Sequence, residues 1–195
     1  IYTDPFMNYK IRLKRVDRGY LTEQEIQKIL KKKFPTKRLE QVRDVFIFSC
    51  FTGLSYIDIK TLKASEICTS FDGKLWIMRH RQKTDTPVNV PLLKIPLAIL
   101  KKYDGQLPKG ELLPVLSNQK LNSYLKEIAD LCGINKNITF HIRRHTHATM
   151  MLTLGVDLYT VSKLLGHTNI QTTQIYAKLV DESKKKAIDL IPNIS

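Results

Sequence analysis

The chain is predicted to fold as a mostly α-helical domain with one small antiparallel β-hairpin or sheet, an α+β arrangement dominated by helix. Apolar residues recur at helical intervals along most of its length, and helix-start signals precede several of those runs. Only between Phe71 and Leu93 does the texture change, to two β-rich runs around a polar turn. With 195 residues and 43% hydrophobic content, the chain is long enough for one well-buried domain and short for two.

The opening segment, "IYTDPFMNYKIRLKRVDRGY", is basic and irregular, so residues 1–20 are expected to be a linker and 21–195 the folded domain. "LTEQEIQKILKKKF" then sets Thr22 and Glu25 in capping-box spacing, in which a hydroxyl and a carboxylate three residues apart each accept a backbone N–H that the first helical turn leaves unpaired. A helix starts there. "RLEQVRDVFIFSCFTGL" is a second, more apolar helix ended by Gly53, and "YIDIKTL" resumes helical spacing. "LWIMRHR", "QKTDT" and "PVNVPL" read as strand, turn and strand, a hairpin carrying Lys83 near its tip. Beyond Ile95 the chain is helical again, through "SNQKLNSYLKEIADLCG", "TFHIRRHTHATMMLTLG", "DLYTVSKLLG", "LLGHTNIQTTQIYAKL" and "ESKKKAIDLI".

Charge narrows the function. Lys and Arg total 32 against 18 Asp and Glu, a net +14 with pI near 9.7, the footprint of a protein that meets phosphate backbones. The longest apolar run, "VFIFSCFTGL", is far shorter than the roughly 20 residues of a membrane-spanning helix, and no signal-peptide pattern appears. Cys50, Cys68 and Cys132 are odd in number and widely spaced, which favours neither a disulfide framework nor a zinc site and fits a reducing cytoplasm.

Two segments carry residues with chemical potential. In "HIRRHTHATMML", His141 and Arg144 are three apart and share a helix face. His145, four beyond His141, would complete a metal pair, but the acidic residue of an H-E-x-x-H site and a third ligand are missing, and two arginines beside it repel a cation. No metal and no cofactor is expected. The second segment, "DLYTVSKLLGHTNIQTTQIYAKL", has the look of a helix-turn-helix, with Gly166 near the turn and Gln171, Thr173 and Gln174 on a would-be recognition helix. In that reading Tyr176 is a core aromatic and the protein binds DNA without chemistry.

Taken in order, Lys83 on a hairpin, H-x-x-R at 141 to 144, Gly166-His167 and then Tyr176 resemble the catalytic domain of the tyrosine recombinases, the phage integrase family, and look most like integrases of Bacteroides-type mobile elements. The resemblance runs from about Leu21 to Ile191 and takes in "FTGLSYIDIKTL", where the family has T-G-L-R-x-x-E-[LI]. It implies the tyrosine recombinase catalytic-domain fold at 21–195, and a missing N-terminal DNA-binding domain ahead of the linker at 1–20. It also implies site-specific cutting and rejoining of DNA: the tyrosine hydroxyl attacks a phosphodiester, forms a 3′-phosphotyrosyl link and frees a 5′-hydroxyl. Integration, excision or inversion of a mobile element are the outcomes it covers. Type IB topoisomerases use a similar tyrosine to relax DNA, and they remain an alternative.

Those roles fall on Tyr176, Arg144, His141, His167 and Lys83. A planar guanidinium matches the charge that builds on the non-bridging oxygens, and loss of one such donor typically costs on the order of 10²–10³ in rate. Tyr176, with an ordinary phenol pKa of about 10, needs help to lose its proton. Lys83 is the candidate general acid for the leaving 5′-oxygen, a contribution of roughly 10²–10⁴. His141 and His167 add donors or take the tyrosine proton. One departure stands out: the family's first arginine is Ser55 here. Arg43, on the helix just before, is the candidate to compensate; its alternative is a surface arginine paired with Glu40 or Asp44. Asp58, where the family usually has Glu, is expected to support this shell. Arg79 and Arg81, flanking the hairpin, are expected to contact the DNA backbone. The resemblance further implies double-stranded DNA as partner, a homotetramer on DNA, accessory DNA-bending proteins, no membrane, and a bacterial, nucleoid-associated setting. The tail after Asp181 packs in cis or on a neighbouring protomer.

Overall fold

The structure is a computed structural model that describes residues 19–188. The linker expected at 1–20 therefore lies almost wholly outside the described residues, as does the end of the tail. Its elements follow the order α1 (Glu23–Lys31), α2 (Lys37–Thr52), α3 (Tyr56–Lys60), β1 (Ile67–Thr69), β2 (Leu75–His80), β3 (Pro87–Pro91), α4 (Lys94–Tyr103), α5 (Asn118–Leu131), α6 (Ile142–Thr153), α7 (Leu158–Leu165) and α8 (Gln171–Ile188).

Local chemistry sets these boundaries. Thr22 caps α1 through the reciprocal box with Glu25, and Ser55 caps α3 through a second box with Asp58. Gly53 ends α2 at φ 65°, and a side chain there would also collide, because an added Cβ would lie 2.7 Å from the His147 ring. α2 is buried nearly all round, which explains its lack of a clear apolar stripe; Val45, Phe46, Ile47, Phe48 and Cys50 are all inaccessible to solvent. Side chains of this kind stabilise by about 1.5–3 kcal/mol each when fully buried. α4, α5 and α6 pack around this helix and build the larger core.

A smaller apolar cluster, Ala148, Val161, Leu165 and Tyr176, joins α6, α7 and α8. The functional segments meet in the space between the two clusters.

The sheet has the order β1-β2-β3, antiparallel throughout, with Ile67 opposite Ile77 and Arg79 opposite Val88. The sequence showed the β2–β3 hairpin but not β1, which is only three residues long and has no buried position. Helices expected separately at "QTTQIYAKL" and "ESKKKAIDLI" are one continuous helix, α8, because no breaker stands between Leu179 and Lys184.

Candidate active site

Four pieces of chain surround a cavity of about 490 Å³: the start of α3 with Ser55 and Asp58, the β2–β3 turn with Arg81 and Lys83, the start of α6 with His141, Arg143 and Arg144, and the turn after α7 with Gly166 and His167. Hence six of the sequence candidates, His141, Arg144, His167, Lys83, Ser55 and Arg81, line one cavity although up to 112 positions separate them, from Ser55 to His167.

Arg144 stands in the first turn of α6. Its guanidinium donates to the carbonyl of Leu165 at 2.8 Å and to the hydroxyl of Tyr176. Tyr176 is only 3% exposed and belongs to the smaller apolar cluster, so it is a core residue whatever else it does. Burial pushes its phenol pKa up, while the charge and hydrogen bond of Arg144 pull it back; burial prevails. The tyrosine does not line the cavity itself, and Arg144 is the link between them. His145 packs edge-on to the tyrosine ring at 5.1 Å, and His141 packs on His145 at 4.8 Å, so three aromatic rings run from the cavity rim to the tyrosine.

His167 follows Gly166, the left-handed cap of α7, and its Nδ1 lies 2.7 Å from the buried hydroxyl of Thr173. Burial and the neighbouring Arg144 and Arg81 charges push its pKa down to about 4, so the imidazole is uncharged at neutral pH. Lys83 sits exposed at the hairpin tip, on the cavity wall.

Two expectations about arginines need correction. Arg43 lies away from the cavity: its Nε pairs with Asp44 at 2.8 Å, its Nη1 donates to the Lys32 carbonyl at 3.0 Å, and it stacks on Phe34. The bland alternative, pairing with Asp44, is what the structure has; a charge on this face escapes the core by turning back toward α1. Arg79 is not a backbone contact either, since its side chain is 1% exposed and is held by the Asp58 carbonyl, Thr61 and Glu66.

Arg81, expected on the DNA backbone beside the hairpin, lies buried in the cavity wall. Its Nη1 donates to Asp58 at 2.9 Å and its Nη2 to the Leu164 carbonyl at 3.1 Å. Burial lowers its pKa to about 10, with Arg144 adding repulsion, and it remains protonated at neutral pH. The signal was in the strand: Ile77, Arg79 and Arg81 alternate onto the same inward face. Asp58 receives four donors in all, from the Ser55 backbone and hydroxyl, the Gln82 backbone N–H and Arg81. Burial alone would raise its pKa, but these donors and the arginine charges outweigh it and hold the carboxyl below its usual range. Thus where a first arginine is absent at Ser55, the serine secures the carboxylate that secures Arg81.

Among the described residues, no group of three or more His, Cys, Asp or Glu side chains is placed to hold a metal ion, and no helix is long and apolar enough to cross a membrane. The arrangement is suited to a phosphodiester: four cationic side chains and one carboxylate line the cavity, and a phenol hydroxyl hangs on one of the guanidiniums.

The profile of the Phage integrase family matches residues 19–183. The chain is 34% identical over 176 residues to Tyrosine recombinase XerA of Thermococcus onnurineus (strain NA1), covering 86% of this chain and 60% of that protein. It is 30% identical over 197 residues to a Tyrosine recombinase of Thermosipho africanus (strain TCF52B), covering 96% and 67%. The chain thus spans about six-tenths to two-thirds of these relatives' length. Among solved structures, the XerH site-specific recombinase bound to palindromic difH substrate in a post-cleavage complex superimposes with a TM-score of 0.71 at 22% identity, over 89% of this chain and 53% of that one. XerA recombinase superimposes with a TM-score of 0.70 at 23% identity, over 87% and 63%. These likenesses show the fold: a mostly helical domain with a three-stranded antiparallel sheet.

Proposed function

Because this chain belongs to the phage integrase family, we propose that it cuts and rejoins DNA strands at specific sites through a 3′-phosphotyrosyl intermediate on Tyr176. The observation that carries this reading is the Arg144 guanidinium, which bonds the Tyr176 hydroxyl and also lines the cationic cavity, so that one side chain touches both nucleophile and phosphate site.

The scissile phosphate sits in the cavity with its non-bridging oxygens toward Arg144 and Arg81, and the tyrosine oxygen attacks phosphorus. The new bond joins the tyrosine oxygen to phosphorus, the bond from phosphorus to the 5′-oxygen breaks, and the tyrosine proton leaves toward His167, which is uncharged and able to accept it. Lys83 gives a proton to the departing 5′-oxygen. A 5′-hydroxyl of a second duplex then reverses these events on the phosphotyrosine, so one phosphodiester is exchanged for another without ATP. His141, at the rim, adds a donor. No step calls for a metal, because guanidinium charge serves where a divalent cation serves in other phosphoryl-transfer sites.

The relatives' printed names are those of recombinases, which supports exchange over relaxation, and related recombinases have been solved on DNA, one of them as a dimer on a core site. Double-stranded DNA is therefore the proposed partner, with a homotetramer as the assembled form and accessory bending proteins alongside. The finer proposal is an integrase of a Bacteroides-type mobile element, acting in a bacterial cytoplasmic, nucleoid-associated setting; its support is the resemblance of the four motifs in order.

The test is covalent trapping on nicked duplex carrying the element's own ends, with Tyr176→Phe alongside. An adduct mapped to Tyr176 and absent from the variant is the expected result. Clear binding with no adduct from either protein would leave a DNA-binding module without chemistry.

A further inference from the structure

Arg143 is the most anomalous charge in the domain. It is 6% exposed, yet among the described residues no carboxylate lies within 4.0 Å of it. Its Nη1 donates to the Phe140 carbonyl, its guanidinium stacks on the Phe140 ring at 4.2 Å, and its Nε is buried with no hydrogen-bond partner. The charged groups that face it are Arg144, Arg81 and Asp58, with the buried thiol of Cys50 behind. A buried, unpaired cation is costly unless an anion joins it. The other buried arginines are differently placed: Arg79 has Glu66 and Asp58, and Arg81 has Asp58.

Its position says where the anion comes from. Arg143 lines the same cavity as Arg144, but the two are successive on α6, so they point about 100° apart around the helix. Arg144 faces Tyr176. Arg143 faces the side of α3, where Phe140 packs against Tyr56 and where Ser55 leaves the wall without a guanidinium of its own.

We propose that Arg143 is a phosphate-binding residue of the cavity, gripping the DNA phosphate from the Ser55 side while Arg144 and Arg81 grip it from the tyrosine side. This inference rests on the phosphodiester reading of the cavity. It adds a site residue with no counterpart among the roles assigned above.

The test measures thermal stabilisation of the chain by inorganic phosphate at constant ionic strength, for the unsubstituted chain, Arg143→Met, Arg143→Lys, Arg144→Met and, as a control, Arg38→Met, whose arginine lies on the surface beside Glu127. The expected result is that Arg143→Met and Arg144→Met each weaken the apparent phosphate affinity roughly tenfold or more, that Arg143→Lys loses part of it, and that Arg38→Met loses none. Without phosphate, Arg143→Met is expected to melt no lower than the unsubstituted chain, because a methionine relieves the unpaired charge. If Arg144→Met loses phosphate affinity while Arg143→Met keeps it, Arg143 is a packing residue and this inference falls alone. If neither position matters, or the unsubstituted chain gains nothing from phosphate, the phosphodiester reading falls with it.

Discussion

A methyl group at position 166 tests the cavity without removing any charge. Gly166 has φ 62°, and a Cβ built there would lie 2.0 Å from Nε and 2.6 Å from Cδ of Arg81, and 3.0 Å from Val88. Ordinary contact begins at 3.4 Å, so the Arg81 side chain must retreat by 3.4 minus 2.0, or 1.4 Å, which neither its 2.9 Å bond to Asp58 nor its 3.1 Å bond to Leu164 survives. Gly166→Ala therefore combines a left-handed backbone cost of about 1–2 kcal/mol with loss of a charge-assisted bond of about 1.5–3 kcal/mol. Gly133→Ala isolates the first cost, because Gly133 has φ 63° and nothing within 4 Å of a built Cβ. If Arg81 holds the phosphate, the full-length protein carrying Gly166→Ala forms covalent adduct on nicked duplex about 10²–10³ more slowly, while Gly133→Ala cleaves normally. A methyl blocking the cavity outright would give the same loss, and the double variant separates the two. Arg81→Met should cost as much alone as together with Gly166→Ala, since both remove one interaction. Cleavage by Gly166→Ala within about threefold of Gly133→Ala, or full additivity with Arg81→Met, would refute the assignment of Arg81.

Two further outcomes follow from the rest of the structure. Arg43→Ala is expected to leave adduct formation unchanged and to lower stability by about 1–3 kcal/mol in denaturant melts, because it removes the Asp44 pair and the Phe34 stack but leaves Asp44 bonded to Lys102 and Tyr103. His147 is buried, its Nδ1 lies 2.9 Å from the Cys50 carbonyl, and burial pushes its pKa down to about 4 from an ordinary 6.5. The unfolded chain then binds a proton that the folded one refuses, so the contribution of His147 is whole above pH 6.5 and is lost as pH falls toward 4, by about 3 kcal/mol in all. Melts across that window should flatten in His147→Leu relative to the unsubstituted chain; parallel curves would mean that the imidazole takes up its proton in the fold as readily as in the unfolded chain.

Legibility in the sequence depended on how local each signal was. The capping box at Thr22, the glycine stop after α2 and the β2–β3 hairpin are written in short contiguous stretches, and each stands where those residues place it; the second box, at Ser55 and Asp58, was equally local and went unread. β1 was not readable, because three residues with no buried position carry no alternation. The same contrast divides the site. His141 and Arg144 were paired by helix spacing, whereas His167 entered only through the resemblance of the Gly166-His167 pair to the family motif. Arg43 was misplaced because helix periodicity gives a face but not the direction in which a long side chain leaves it, and Asp44 and the Lys32 carbonyl drew it the other way. Arg79 was misread because charge was given more weight than the strand alternation that turns it inward.

The same inward alternation brings a guanidinium, that of Arg81, into the cavity wall that Ser55 also lines. A guanidinium projecting from the start of α3 would have to be fixed by neighbouring carboxylate; here Asp58 is already fixed by Ser55 above it and by the Gln82 backbone across the cavity. The vacancy is filled from the sheet: Arg81 enters below Gly166 and finds its carboxylate already in place. Ser55 thus keeps a structural part in the phosphate site while giving up the charge. The cavity still carries more positive than negative side chains: burial lowers the pKa of Arg81, Arg143 and Arg144, and repulsion from neighbouring guanidiniums adds to it at Arg81 and Arg143. Such a surplus is destabilising in the free protein and is relieved by an anion in the cavity, which favours a phosphate at the transition state, where its charge is greatest, over a ligand that meets a single guanidinium.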